Sequence, residues 1–201
     1  MTEAGLIHVV DDDESLRNSL LELLAAAGFA ARGYASAGEF LLHTLPDCVG
    51  CILLDVRMPG PSGIDLQEAL RNHGVALPIV FMTGHADVPT SVRAMKAGAV
   101  DFLEKPVARE TLFAALSLAL SRDAAQRVAR DKEQQRDGRL AALSSRERNV
   151  FDGIVAGKLN KQIADDLGIS LRTVKAYRAQ LMDKLGVRSA AELGKLAGDR
   201  S

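Results

Sequence analysis

Through residue 120, short apolar runs alternate with segments whose apolar residues recur every three to four positions. "LIHVV" precedes such a segment over "ESLRNSLLELLAAAG", and "FAARGYA" precedes "AGEFLLHTL". "CILLDV" precedes "GIDLQEALRNHG", "PIVFMT" precedes "VPTSVRAMKAG", and "DFLEKP" precedes "RETLFAALSLAL". Strand and helix candidates taking turns in this way predict an α/β fold, a doubly wound parallel sheet with helices on both faces. In such sheets ligands bind beyond the carboxyl ends of the strands.

The pattern changes at Ser121. "SRDAAQRVARDKEQQRDGR" is rich in charge and in helix-favouring Ala, Gln, Glu and Arg but poor in core residues. It reads as an extension of the fifth helix that runs into a linker, 121–142, and breaks near Gly138. Its apolar spacing is too sparse for a dimerising coiled coil. A second domain, 143–201, opens with Ser144 and Glu147 in the S-x-x-E spacing of a capping box, and its first helix should end at Gly157. In "NKQIADDLGISLRTVKAYRAQLMDKLG", Asn160 and Ser170 are cap candidates on either side of a glycine turn at Gly168. A short helix, a tight turn and a longer helix make a helix-turn-helix. Val174, Leu181 and Leu185 give the longer helix an apolar stripe, while Arg172, Lys175, Arg178 and Lys184 make it basic.

The polar residues at the strand ends carry the candidate chemistry. Asp11 and Asp12 follow the first strand, Asp55 ends the third, Thr83 ends the fourth and Lys105 follows the fifth; the second, ending in "RGYA", offers no such group. With the strand order 2-1-3-4-5 the contributing strands are neighbours and the silent one is an edge, so acids, hydroxyl and ammonium converge on one crevice. Clustered carboxylates raise a pKa or bind a cation, and oxygen ligands in a small open cleft favour Mg²⁺. A carboxylate there can also accept a phosphoryl group as an aspartyl phosphate, with Mg²⁺ and Lys105 neutralising charge.

The net charge of −1 hides an asymmetry: residues 1–120 carry −7, 121–142 carry +2 and 143–201 carry +4. A basic tail suggests a polyanion partner. No apolar run is long enough to span a membrane, and "MTEAGLIHVVDDD" lacks a basic leader region, which predicts a cytoplasmic protein. Cys48 and Cys51 have the C-x-x-C spacing of redox and zinc sites, but no second pair accompanies them and Cys51 opens a strand, so both read as small core residues.

Residues 6–120, through "VVDDDE", "LLDVRMPGPSG", "FMTGHAD" and "DFLEKP", resemble a CheY-like receiver domain of bacterial two-component systems. The resemblance implies a flavodoxin-like (βα)5 receiver over 1–120 whose Asp55 accepts a phosphoryl group from a sensor histidine kinase. It implies Mg²⁺ held by Asp12, Asp55 and the backbone carbonyl of Arg57, with Asp11 assisting through water. It gives Thr83 and Phe102 a switch role, a cis bond to Lys105–Pro106, and makes Arg57 and His85 candidates for tuning the lifetime of the phosphoryl group. Asp13 reads instead as a helix cap. Residues 143–197, through "LSSRE", "GKLNKQIADDLGIS" and "TVKAYRAQLMDKLGVRS", resemble the all-α four-helix LuxR-type domain of the NarL/FixJ subfamily, departing from it at Tyr177, where histidine is more usual. By this reading Arg172, Thr173, Lys175, Ala176 and Arg178 face the major groove and Lys161 and Lys184 touch phosphates. The implied partners are the kinase, double-stranded promoter DNA, RNA polymerase and, once phosphorylated, a second copy of the chain. Two rival readings fit these residues less well. A haloacid dehalogenase-like phosphatase would carry D-x-D, where this chain has Arg57 after Asp55, and a regulator that has lost phosphorylation would not be expected to keep Asp11, Asp12, Asp55, Thr83 and Lys105 together.

Overall fold

The computed structural model describes residues 5–84 and 87–198, and the chain divides into two compact units, Met1–Val128 and Ala129–Ser201. In the first, strands β1 (Leu6–Val10), β2 (Ala30–Tyr34), β3 (Gly50–Asp55), β4 (Ile79–Thr83) and β5 (Asp101–Glu104) form one parallel sheet in the order β2-β1-β3-β4-β5. Helices α1 (Glu14–Ala26), α2 (Ala37–Leu42), α3 (Gly63–Asn72), α4 (Val88–Lys96) and α5 (Arg109–Ala141) follow the strands in turn.

Alternation along each strand decides which helices meet which residues. Ile7, Val9, Cys51, Leu53, Val80 and Met82 pack with Leu20 and Leu24 of α1 and Leu112 and Leu116 of α5. Val10, Ile52, Leu54 and Phe81 point the other way, onto Phe40 of α2, Leu66 and Leu70 of α3 and Ala94 of α4. Because both faces are covered, β3 is buried at every position, which is why it reads as an unbroken apolar run. The side chains of Asp13, Ser36, Ser62 and Asp87 each accept the backbone N–H three residues on, which starts α1 to α4 where the sequence places them. The Cys51 thiol is buried and pushed up to about 12, first by desolvation and then by the nearby Asp123 carboxylate. Both cysteines are free; Cys51 lies in the core as read from the sequence, whereas Cys48 is only half-buried and belongs to no core cluster among the described residues.

α5 does not break at Gly138. It continues to Ala141, with the Ala142 N–H donating to the Gly138 carbonyl at 3.1 Å. A single glycine costs a helix interior only about 1 kcal/mol, and Leu140, two residues on, is buried in the second core. The first unit also reaches past residue 120. Asp123, 2% exposed, accepts the Gly50 N–H at 2.9 Å and Arg127 Nε at 2.8 Å, and Arg127 Nη1 reaches Asp47 at 2.6 Å, tying the middle of α5 to the start of β3.

The second unit contains α6 (Ser145–Val155), α7 (Asn160–Leu167), α8 (Leu171–Leu185) and α9 (Ala190–Gly198) around Val150, Phe151, Ile163, Val174, Leu181, Leu185 and Leu193. The Ser144–Glu147 capping box forms as expected. Gly168 adopts φ 63° between α7 and α8, a left-handed conformation that side chains with a Cβ resist. Asn160 is not a cap: it is the first residue of α7. Gln162 Oε1 accepts the Leu159 N–H at 2.7 Å, and the Asn160 side chain is engaged elsewhere. Among the described residues, no helix is long and apolar enough to cross a membrane.

Candidate functional site

The order of the sheet brings the carboxyl ends of β1, β3, β4 and β5 together. Lys105 Nζ, just past β5, donates to Asp55 Oδ1 at 2.7 Å and to Asp11 Oδ2 at 2.8 Å. The other Asp11 oxygen takes the Asp13 N–H at 2.9 Å, and Asp55 Oδ2 takes the Arg57 N–H at 2.7 Å. Asp11 is 1% exposed and Asp55 5%, whereas Asp12 is exposed on the rim. Burial raises the Asp55 pKa; the Lys105 hydrogen bond and charge oppose that, and the Asp11 charge adds to it. For Lys105, burial works against the ammonium, yet the bonds to Asp11 and Asp55 outweigh it and hold the pKa above its ordinary value. One ammonium therefore lies between two buried acids.

Thr83, at the end of β4, is 1% exposed, and Phe102 of β5 is half-buried with its ring centroid 5.9 Å from that of Phe81. The Lys105–Pro106 bond is cis, as the resemblance implies. His85 lies outside the described residues, and Arg57 is exposed at the rim. Sequence reasoning missed Gly63. A Cβ built there would collide with the Asp55 carbonyl oxygen, and the Gly63 N–H donates to Val56 at 3.0 Å, so the start of α3 presses directly against the backbone that carries the central acid. The glycine in "GPSG" was the available signal.

In the second unit the Gly168 turn joins α7 and α8 as a helix-turn-helix. Lys161, Arg172, Lys175 and Ala176 are exposed, and Thr173 is half-buried with its hydroxyl 2.7 Å from the capping Ser170. The other two cations of the set are paired within the unit. Arg178 is half-buried and donates from Nη1 to Asn160 Oδ1 at 3.0 Å, linking α8 to the first turn of α7. Lys184 lies 2.7 Å from the buried Glu147, whose pKa falls to about 2, first through the Lys184 hydrogen bond and then through the Ser144 N–H and hydroxyl. Glu147 was legible as a cap; its bond to a residue 37 positions away was not.

Residues 7–117 match the response regulator receiver domain model, and residues 141–197 match that of bacterial regulatory proteins of the luxR family. The transcriptional regulatory protein FixJ of Azorhizobium caulinodans is 46% identical over 197 residues, covering 98% of this chain and 93% of that protein. Nodulation protein W of Bradyrhizobium diazoefficiens is 42% identical, covering 98% and 88%. Among solved structures, the response regulator StyR superposes with TM-score 0.90 at 44% identity, covering 98% of this chain and 99% of that one. Full-length FixJ from B. japonicum gives 0.60 at 43%, covering 98% and 97%. The chain belongs to the NarL/FixJ subfamily of two-component response regulators, DNA-binding regulators of transcription with a receiver domain and a LuxR-type helix-turn-helix domain.

Proposed function

We propose that Asp55 receives a phosphoryl group from the phosphohistidine of a sensor histidine kinase, and that this converts the chain into a promoter-binding dimer. The observation that carries the reading is the Lys105 ammonium held 2.7 Å from Asp55 Oδ1. An Asp55 oxygen attacks phosphorus, the P–N bond breaks, and its electron pair returns to the kinase imidazole. Lys105 compensates the negative charge carried onto the carboxylate, and the Thr83 hydroxyl and Phe102 on the neighbouring strands respond to it as the switch. Carboxylate and carbonyl oxygens are the donor type that suits a hard cation keeping part of its water shell. Asp12, Asp55 and the Arg57 carbonyl would hold Mg²⁺, with Asp11 assisting, and the ion would neutralise charge on the transferred group. Arg57, exposed beside the acids, and His85 set the lifetime of the product. The only catalysis in this reading is the receiver's own phosphoryl transfer and hydrolysis.

Val88, Val92 and Met95 recur at helical spacing on α4 and are exposed, an apolar stripe that supports dimerisation through this helix. We assign residues 1–120 to the receiver, 121–142 to the linker and 143–201 to DNA binding. Lys161, Arg172, Thr173, Lys175 and Ala176 meet promoter DNA, Arg178 and Lys184 reach it while also bracing α8, and the bound dimer acts on RNA polymerase in the cytoplasm. The test is intact-protein mass after incubation with Mg²⁺ and acetyl phosphate, with light scattering on the same samples. A single phosphate adduct and a shift to dimer, both lost in Asp55→Asn, are expected; no adduct on the wild type from either acetyl phosphate or a phosphorylated kinase overturns the reading.

A further inference from the structure

The first unit has a second cavity at the opposite end of the sheet from Asp55. It has a volume of about 340 Å³ and lies among the C-terminal turn of α3, the loop into β4, the end of α4 and the middle of α5. Arg71 on α3 and Arg122 on α5 stand in its wall, and no acidic residue does. Neither guanidinium has a hydrogen-bond or ion-pair partner among the described residues, so both charges are free to meet a ligand. Gln67, 5% exposed, also lines the cavity. Its Nε2 donates to the Ala94 carbonyl of α4 at 3.2 Å, but its Oε1 is buried without a partner among the described residues. A buried amide oxygen left without a donor costs about 1 to 3 kcal/mol, and native structures normally satisfy such groups.

These features ask for two different things of one ligand. The arginines call for a carboxylate, which a guanidinium binds through paired N–H donors. Gln67 Oε1 calls for a hydrogen-bond donor. The ends of α3 and α4 meet the same cavity at Gly74 and Gly98, and the negative ends of their dipoles favour a donor there too. The volume suits a metabolite of amino-acid size. We propose that this cavity binds a small organic acid carrying a hydroxyl or ammonium group beside its carboxylate, with Arg71 and Arg122 taking the acid and Gln67 taking the donor.

Such a ligand is a second input to the receiver. Gln67 bonds to α4, whose exposed stripe is the proposed dimer face, and Arg122 directly precedes Asp123, which fixes α5 to β3. Occupancy couples α3, α4 and α5 from the end of the sheet that phosphorylation does not touch.

The experiment is isothermal titration of the full chain with L-malate, L-glutamate and succinate. Saturable binding of malate or glutamate, with succinate weaker because it lacks the donor, is the expected result. Arg71→Gln with Arg122→Gln, both exposed positions that leave the core intact, should weaken binding by about tenfold or more. Gln67→Met should erase the preference over succinate, and mass measurement should find acetyl phosphate labelling of Asp55 unchanged in all variants. Absence of saturable binding by both malate and glutamate, or equal affinity in the arginine double variant, overturns the proposal.

Discussion

Asp55 and Lys105 define each other. Removing the ammonium leaves two buried acids, Asp11 and Asp55, facing one another without compensation, so Lys105→Met should raise the pH at which Asp55 ionises and slow labelling by acetyl phosphate by about tenfold or more. Labelling rate against pH for both proteins measures this, and an unchanged profile refutes it. His8 governs a different pH range. It is buried on β1 with Nδ1 2.9 Å from the Tyr34 hydroxyl, and its pKa is lowered to about 4, first by burial and then by His43 and Arg32. The folded state resists protonating it while the unfolded chain accepts a proton near pH 6.5, so stability is lost as pH falls from about 6.5 to about 4, by on the order of 2 kcal/mol. Urea unfolding across that range should show the loss, and His8→Gln should flatten it. The acids, Thr83 and Lys105 were legible because they sit where apolar runs stop. His8, inside "LIHVV", was not: nothing in a strand pattern tells which partner a buried imidazole will find 26 residues later.

At the scale of elements, the sheet and the first four helices were readable because period-2 and period-3.6 patterns alternate and each helix opens on a side-chain cap. The length of α5 was not, because the glycine penalty at Gly138 competes with packing of Leu140 that only the folded second unit supplies. Asn160 was misread for a related reason: its residue type favours a cap, but Gln162 meets the Leu159 N–H and frees it to hold Arg178. The contact of α3 with β3 gives a clean prediction. Gly63→Ala pushes against the Asp55 backbone, so it should lower the labelling rate more than it lowers the melting temperature, as parallel mass and calorimetric measurements would reveal. On α4, Val92→Asp places a charge in the exposed stripe without disturbing the core. It should leave labelling intact and abolish the shift to dimer in light scattering; a normal shift would remove α4 from the interface.

For the whole molecule, function divides with charge: −7 over the receiver and +4 over the DNA-binding region. Affinity for promoter DNA should fall steeply with salt, because each phosphate contact releases counterions. Since Lys184 is paired with Glu147 while Lys161 and Lys175 have no such bond among the described residues, Lys161→Ala and Lys175→Ala should each reduce the salt slope alone, and Lys184→Ala should reduce the slope and lower the melting temperature as well. Slopes from fluorescence anisotropy beside melting curves would separate the two classes. The presence of two domains was legible from this charge shift and from the helix-turn-helix. The pairing of Lys184 with Glu147 was not, because it depends on how α6 lies against α8.

Asp123 sets the tempo of the long helix. Anchored to the Gly50 N–H and to Arg127, it acts as a node where the core-packed start of α5 gives way to an exposed stretch, and opening that begins further along α5 must break a buried bond to pass it. Amide hydrogens before residue 123 should then exchange in step with the core of the sheet, while those between 128 and 137 exchange on the faster schedule of an isolated helix. Asp123→Asn, by weakening the node, should merge the two schedules.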